Sequence, residues 1–175
     1  MRHLKTTCRR IASCLLAALC ATSWGQSGEP LRIGVAGVSH GHLWEVIKRI
    51  DRGDFQIVGV AEENDSLRTH NGLRGKVAPE LFYKDLGEML DKTRPEAVVV
   101  YEPIFDHLRV VEECAPRGID VMVEKPLAVN AGHAERMAEL ARANDILLLT
   151  NYETTWYATN HEAFRLVADG TIGKV

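Results

Sequence analysis

A lysine follows directly after a short apolar segment, in the stretch Asp120-Val121-Met122-Val123-Glu124-Lys125-Pro126. The apolar segment predicts a buried strand, and open parallel sheets bind ligands at the carboxyl ends of their strands. An ammonium group at such a strand end can hold a substrate oxygen, stabilise a developing alkoxide or transfer a proton. Lys125 is therefore the predicted catalytic residue, and an ordinary surface lysine after a strand is the structural alternative.

A glycine-containing turn follows an earlier apolar segment, residues 31–36, and has the sequence Gly37-Val38-Ser39-His40-Gly41-His42. Dinucleotide-binding turns have the pattern Gly-x-Gly-x-x-Gly, which brings bare backbone and a helix N-terminus against a pyrophosphate. Here Gly37 takes the first position, Ser39 the second and His42 the third, with Gly41 one residue early. Ser39 can donate a hydrogen bond to a phosphate, and His40 or His42 could contact phosphate or substrate. Because the pattern is degenerate, a simple strand–helix turn fits it equally well.

An acidic pair ends the second predicted strand, in Val58-Gly59-Val60-Ala61-Glu62-Glu63. In a dinucleotide-binding unit, the ribose hydroxyls of the adenosine lie at this position. A carboxylate accepts hydrogen bonds from both hydroxyls and repels a 2′-phosphate, so Glu62 favours NAD over NADP. The alternative for Glu62 is a solvated loop acid, and Glu63 is expected to face solvent.

The remaining histidines and cysteine give no catalytic signal. His70, His133 and His161 fall in separate predicted elements, so no residue spacing predicts a metal site. His107 lies one turn into the helix after Pro103, where a structural role is expected. Cys114 falls within an apolar helical pattern, which indicates a buried thiol rather than a nucleophile.

Short apolar segments alternate with amphipathic ones along the chain, which predicts strands alternating with helices. The predicted strands are residues 31–36, 56–61, 81–83, 97–101, 120–123 and 146–150. The predicted helices are residues 42–51, 85–92, 105–117, 131–143 and 155–169, with a weak helix and a loop in 65–80. Right-handed crossovers between such strands give an α/β, Rossmann-like, doubly wound parallel sheet.

The first 23 residues have the three parts of a secretory signal peptide. Four basic residues and no acidic residue precede an apolar run, residues 11–21, which is followed by small residues. The run is too short to span a bilayer, so no stable membrane anchor is expected. These residues predict export to the periplasm or beyond, and Arg9-Arg10 raises the possibility of a twin-arginine route. Residues 24–30 are an expected flexible lead-in.

Removing the leader changes charge and cysteine content. The formal net charge moves from −3 for the whole chain to −7 for residues 24–175, which argues against nucleic acid or anionic lipid as the main partner. Three of the four cysteines leave with the leader, so Cys114 has no partner for an internal disulfide.

Taken together, residues 31–175 resemble the Gfo/Idh/MocA family, named after glucose–fructose oxidoreductase and inositol dehydrogenase. The most specific element is Val123-Glu124-Lys125-Pro126-Leu127-Ala128, supported by Tyr83-Lys84-Asp85-Leu86 and by Asp169-Gly170-Thr171-Ile172-Gly173-Lys174-Val175. The resemblance implies an NAD(P)-dependent oxidoreductase acting on a sugar, polyol or related small molecule, with Lys125 as the active-site lysine. The predicted cofactor contacts are Gly37, Ser39, His40, Gly41, Glu62, Pro103 and Glu124.

Besides its degenerate glycine turn, the chain departs from the family pattern in two further places. Glu102-Pro103-Ile104 stands where Thr-Pro-Asn is usual, and Asn151-Tyr152-Glu153 stands where Gly-Tyr-Asn is more common. An NAD-dependent glycoside hydrolase of the same fold and a non-catalytic nucleotide-binding scaffold are therefore kept as alternatives.

The expected domain organisation follows from the same resemblance. Residues 31–150 form the dinucleotide-binding domain, and residues 151–175 form a linking helix and the start of a C-terminal α+β domain. That further domain would supply an Asp and a His to complete the proton relay, and the full-length protein is expected to form a homo-oligomer.

Overall fold

The computed structural model of the chain describes residues 29–68, 73 and 75–174. The predicted signal peptide at residues 1–23, with Arg9-Arg10, lies outside the described residues, as do lead-in residues 24–28 and His70. Residues Leu31–Val175 form one compact unit.

The strands are short apolar segments that pair in parallel. They are β1 (Leu31–Ala36), β2 (Phe55–Ala61), β3 (Phe82–Tyr83), β4 (Ala97–Val100), β5 (Asp120–Glu124) and β6 (Leu148–Asn151). Their order in the sheet is β3-β2-β1-β4-β5-β6. The strand order changes direction between β1 and β4, so a crevice opens at the carboxyl ends of these two strands. This confirms the predicted α/β, Rossmann-like, doubly wound parallel sheet.

The helices of the described residues connect the strands or follow the last one. They are α1 (Leu43–Ile47), α2 (Asp65–Arg68), α3 (Leu86–Thr93), α4 (His107–Cys114), α5 (Ala131–Asn144) and α6 (Ala158–Ala168). Helix α3 follows its N-cap Asp85, whose carboxylate accepts a hydrogen bond from Glu88 N at 2.7 Å. Asn130 caps α5 in the same way, accepting from His133 N at 2.9 Å.

Each face of the sheet has its own apolar core, because successive side chains of a strand point to opposite faces. On one face, Val98 and Val100 of β4 pack with residues of α3, α4 and α5. On the other face, Val99 and Tyr101 pack with residues of α1. Burial on both faces accounts for the continuous apolar run of β4, which is typical of parallel sheets.

The packing of α3 on the sheet depends on a glycine in β2. A Cβ atom at Gly59 would lie 2.6 Å from Met89 Cγ. Met89 is fully buried, so its side chain has no free space into which it could retreat. Glycine at this position therefore sets how closely the helix approaches the strand.

Several element boundaries differ from those predicted. The helix predicted for 105–117 keeps its α form only to Cys114 and ends in a 3-10 turn, Ala115–Arg117, because Pro116 has no N–H for a helical hydrogen bond. The strand predicted for 146–150 begins at Leu148. Asp145 ends α5 with φ 53°, Ile146 N still bonds to Ala141 O, and Leu147 N bonds to the Asp120 carboxylate, so these residues form a loop.

The last helix is largely exposed along its length. No residue of α6 is buried, and Phe164 is 76% exposed. Over the described part of the chain, no helix combines the length and the apolar content needed to cross a membrane.

Candidate active site and cofactor cleft

A cleft of about 290 Å³ lies at the carboxyl ends of β1, β2 and β4. Three predicted cofactor contacts line it, namely Ser39, Glu62 and Pro103, together with Glu102 and Arg109. Ser39, Glu62 and Pro103 follow β1, β2 and β4, respectively. Parallel pairing brings the ends of these three strands to one edge of the sheet. The cleft coincides with the change of direction in strand order, which is the usual ligand position in such sheets.

The first residue of the glycine turn fits only as glycine. Gly37 has φ 73°, and a Cβ atom there would lie 2.4 Å from Glu102 Cγ and 2.8 Å from Glu102 N. The turn is held to β2 by a hydrogen bond from Gly37 N to Ala61 O at 2.8 Å. Gly41 differs, since a Cβ atom there would have nothing within 4 Å. Glycine at position 37 is therefore required both by the positive φ and by the close approach of Glu102 at the end of β4.

The Glu62 carboxylate is held in place at the end of β2. It accepts a hydrogen bond from Val38 N at 3.0 Å and another from Asn64 N at 2.9 Å. The bond from Val38 N links the end of β2 to the glycine turn. Ser39 is oriented as well, because its hydroxyl donates to Tyr101 O at 3.0 Å. In this arrangement the Ser39 hydroxyl proton is directed at the end of β4 rather than into the cleft.

Glu102 and Arg109 form a partly buried ion pair that the sequence analysis did not identify. Arg109 Nη2 donates to Glu102 Oε2 at 2.6 Å, and the Glu102 side chain is only 13% exposed. Burial raises the pKa of Glu102, the Arg109 charge opposes that rise, and nearby Asp106 and Glu62 add to it. The only sequence signal for the pair is its seven-residue spacing, which spans the strand exit and the start of the next helix.

A second cluster surrounds Glu124, the acid of the Glu-Lys-Pro triplet. Glu124 is 2% exposed and accepts hydrogen bonds from Asn151 Nδ2 at 2.6 Å and from Lys125 N at 3.3 Å. His42 Nδ1 lies 3.0 Å from Glu124 Oε2. His40 is also close, because its Nδ1 accepts a hydrogen bond from His42 N at 3.2 Å. A buried carboxylate requires such partners, and here they come from three separate parts of the chain.

This cluster also contains a possible set of metal ligands that the residue spacing did not indicate. Potential ligand atoms of His40, His42 and Glu124 all lie within 4.8 Å of one another. Spacing along the chain did not reveal the set because Glu124 is 82 residues from His42. Only the parallel pairing of strands brings the two positions together.

Lys125 lies at the end of β5, on the same edge of the sheet as the cleft. Its side chain is exposed, and its ammonium group has no hydrogen-bond or ion-pair partner among the residues that the structure describes. His107 supports the following segment: it is fully buried, and its Nδ1 donates to Leu127 O at 3.1 Å. The lysine is therefore free to contact a ligand, while the backbone after it is anchored.

Comparison with known proteins places this geometry in a family. The sequence profile of the Gfo/Idh/MocA oxidoreductases, described as "Oxidoreductase family, NAD-binding Rossmann fold", matches residues 31–152. The chain belongs to the Gfo/Idh/MocA family. It is 31% identical over 146 residues to myo-inositol 2-dehydrogenase of Thermotoga maritima, a match that covers 82% of this chain and 42% of that protein.

Solved structures agree on the fold of this Gfo/Idh/MocA chain. Myo-inositol 2-dehydrogenase from Lactobacillus plantarum superposes with a TM-score of 0.71 at 20% identity, covering 83% of this chain and 43% of that one. GenD2 from gentamicin A biosynthesis, solved in complex with NAD, superposes with a TM-score of 0.70 at 22% identity over 81% of this chain and 40% of its own. The chain thus spans less than half the length of these relatives.

The residues of this Gfo/Idh/MocA domain fit a dinucleotide. Gly37 has φ 73° and no space for a side chain, as the first glycine of a dinucleotide-binding turn requires for its tight bend. Glu62 is fixed at the end of β2, where an adenosine ribose would lie. The domain is accordingly an NAD-binding Rossmann domain, with Gly37 and Glu62 as the two positions that this structure best supports.

Proposed function

We propose that this chain carries the cofactor site and the catalytic lysine of an NAD-dependent oxidoreductase that acts on a sugar, polyol or related compound. The observation that carries the proposal is the placement of Gly37, Glu62 and Lys125 on one carboxyl edge of the sheet. The first two fit a dinucleotide, and the third offers an unpaired cation next to that site.

Each residue has a distinct task in the proposed reaction. Bound NAD would accept or deliver the hydride. The Gly37 backbone binds the pyrophosphate, and the Glu62 carboxylate accepts the ribose hydroxyls and disfavours a 2′-phosphate. The Lys125 ammonium holds the reacting substrate oxygen and stabilises negative charge that develops on it. His40, Gly41, Pro103 and Glu124 are further cofactor contacts in this proposal.

The substrate class rests on the relatives. The Thermotoga maritima and Lactobacillus plantarum proteins are both named as myo-inositol 2-dehydrogenases, so a polyhydroxylated ring is the substrate class we propose. These names do not favour the glycoside hydrolase or the scaffold alternative. We also propose that the complete protein includes a further α+β domain, which supplies the remaining acid–base groups, and that it forms a homo-oligomer.

Export is part of the same proposal and rests on the composition of residues 1–23. Replacing Arg9 and Arg10 together by lysine should block export if a twin-arginine route is used. Cell fractionation of the producing bacterium tests this, and unchanged secretion of the double variant would contradict the route.

Titration of the complete protein with NADH, followed by fluorescence, tests cofactor binding. We expect Glu62→Gln to weaken NADH binding by about tenfold, since about 1.4 kcal/mol of ribose recognition corresponds to that factor. The same change should narrow the preference for NADH over NADPH. Glu80→Gln is the control and should leave both affinities unchanged, because Glu80 is an exposed acid that does not line the cleft. Absence of NADH binding by the wild type at millimolar concentration would contradict the proposal.

Lys125→Met tests the chemical step separately. The variant should keep NADH affinity within about threefold of wild type but lose turnover of polyols by at least about a hundredfold, the lower range for a lost electrostatic stabiliser. Turnover that survives in Lys125→Met would remove the lysine from the mechanism while leaving the cofactor site intact.

A further inference from the structure

We propose that His40, His42 and Glu124 bind a divalent first-row transition metal ion, at the carboxyl edge of the sheet beside Lys125. Two imidazoles and one carboxylate are a frequent ligand set for catalytic zinc, which keeps its fourth position for water or a substrate oxygen. None of the three residues lines the cofactor cleft, and His40 and Glu124, which are also proposed cofactor contacts, would contact the ion as well.

The distances among the three ligands suit one ion. Their potential ligand atoms all lie within 4.8 Å of one another, and His42 Nδ1 is already 3.0 Å from Glu124 Oε2. Ligand atoms about 2.0–2.2 Å from a tetrahedral ion are roughly 3.4 Å apart, so small side-chain shifts are enough. Glu124 is buried, while both histidines are partly exposed. The site therefore has a buried anchor and an open side.

The ligands also have the outer partners that metal sites use to orient them. Asn151 Nδ2 donates to Glu124 Oε1, which leaves Oε2 directed at His42. On the opposite side of the imidazole, His42 Nε2 lies 3.8 Å from Glu153 Oε2, and Tyr157 Oη donates to the other oxygen of Glu153. A carboxylate behind a ligating histidine fixes its tautomer and orientation. These contacts of Asn151 and Glu153 are an observation separate from the distances among the three ligands.

Metal binding would rearrange two hydrogen-bonded contacts without net loss of a proton from His42. The ion takes His42 Nδ1 and Glu124 Oε2, and the imidazole proton moves to Nε2, where Glu153 can accept it. The His42 N contact with His40 Nδ1, 3.2 Å in this structure, gives way so that His40 can ligate.

The ion would act as a Lewis acid on an oxygen ligand. An alcohol or carbonyl oxygen in the open position would be polarised by the metal, in addition to any hydrogen bond from Lys125. The chemical class of ligand is therefore a hydroxylated or ketonic small molecule that can replace a metal-bound water.

Metal titration of the untagged complete protein, freed of metal with a chelator, tests the site. We expect calorimetry to show one Zn²⁺ per chain with micromolar or tighter affinity. Co²⁺ should give the visible absorption bands of a four-coordinate ion. His40→Gln, His42→Gln and Glu124→Gln should each weaken Zn²⁺ binding by at least tenfold and abolish the Co²⁺ bands. Glu153→Gln should weaken Zn²⁺ binding by about tenfold, the lower range for a lost outer partner.

His161→Gln is the matched control. His161 is exposed on α6, so its substitution should leave Zn²⁺ binding unchanged. Circular dichroism on each variant establishes that it is folded. The proposal is overturned if the wild type shows no saturable Zn²⁺ binding below millimolar concentration, or if the ligand variants bind as tightly as the wild type. In either case His42 and Glu124 are a hydrogen-bonded pair only. NADH titration of the same wild-type protein keeps this outcome distinct from failure of the proposed oxidoreductase function.

Discussion

At the end of β4, Glu102 places a carboxylate against the backbone that is proposed to receive a pyrophosphate. Two negative groups at one place would repel each other, and burial of Glu102 makes its charge more costly still. Arg109 offsets both effects through its 2.6 Å hydrogen bond to the carboxylate. The pair thus lets this chain carry an acid at a position where the family usually has threonine.

Replacement of Gly37 by alanine should damage the cofactor turn. The new Cβ would lie 2.4 Å from Glu102 Cγ, and φ 73° is unfavourable for any residue with a side chain. We expect a loss of about 1–2 kcal/mol in unfolding free energy from the backbone alone, and NADH binding weakened by at least tenfold. Chemical denaturation and NADH titration measure the two effects.

Gly41→Ala is the matched control for this substitution. Its Cβ would have no neighbour within 4 Å, so the unfolding free energy should stay close to that of the wild type, and stability is the quantity compared between the two variants. Equal damage from both alanine variants would show that the turn responds to any loss of glycine and not to the contact with Glu102.

Cys114 should give stability a defined dependence on alkaline pH. Burial raises the pKa of its thiol from 9.0 to about 12. Above pH 9 the unfolded thiol ionises while the native one does not, so its contribution to stability is full below pH 9 and falls between pH 9 and about 12. Other groups also titrate in this pH range. The quantity to compare is therefore the difference in unfolding free energy between the wild type and Cys114→Ala. We expect that difference in unfolding free energy to fall as the pH rises, and a constant difference would contradict the buried thiol.

At the scale of single elements, Asp85 fixes where α3 begins. Its carboxylate satisfies the N–H of Glu88, one of the unpaired donors in the first turn. Asp85→Ala should lower the unfolding free energy by about 1 kcal/mol, measured by urea denaturation. Asp106 precedes α4 but makes no capping hydrogen bond, so Asp106→Ala should change stability by less than about 0.5 kcal/mol. Similar losses in the two variants would contradict capping as the cause.

The order of the elements was predictable because each strand is a short apolar run bounded by turn residues. The exact ends of the elements were less predictable. Pro116 and Asp145 end helices through their backbone geometry, and hydrophobic periodicity carries no information about that geometry. Within the site, the positions at strand ends were predictable, as Gly37 and Glu62 show. Contacts between distant segments were not predictable from the sequence. The approach of His42 to Glu124, for example, depends on side-chain directions that no local sequence pattern determines.

At the scale of the whole molecule, exposed apolar side chains are concentrated towards the C-terminal end. Leu147 and Leu149 flank or belong to β6, an edge strand of the described sheet, and Trp156 and Phe164 are each 76% exposed on the segment after it. Large exposed apolar groups are common at surfaces that another domain or subunit covers. These residues therefore support the proposed further domain and predict self-association of the 175-residue chain by itself.

Substitution of Phe164 separates the stability of the chain from its association. Phe164→Gln removes an exposed aromatic ring and keeps a good helix former in α6, so the unfolding free energy should change by less than about 0.5 kcal/mol. Sedimentation velocity should show less self-association than in the wild type. Met137→Ala is the opposing control, because Met137 is fully buried in the core beneath α5 and its truncation should cost about 2–5 kcal/mol. If Phe164→Gln lost as much stability as Met137→Ala, Phe164 would belong to a core, and the covering surface would have to be sought elsewhere on the molecule.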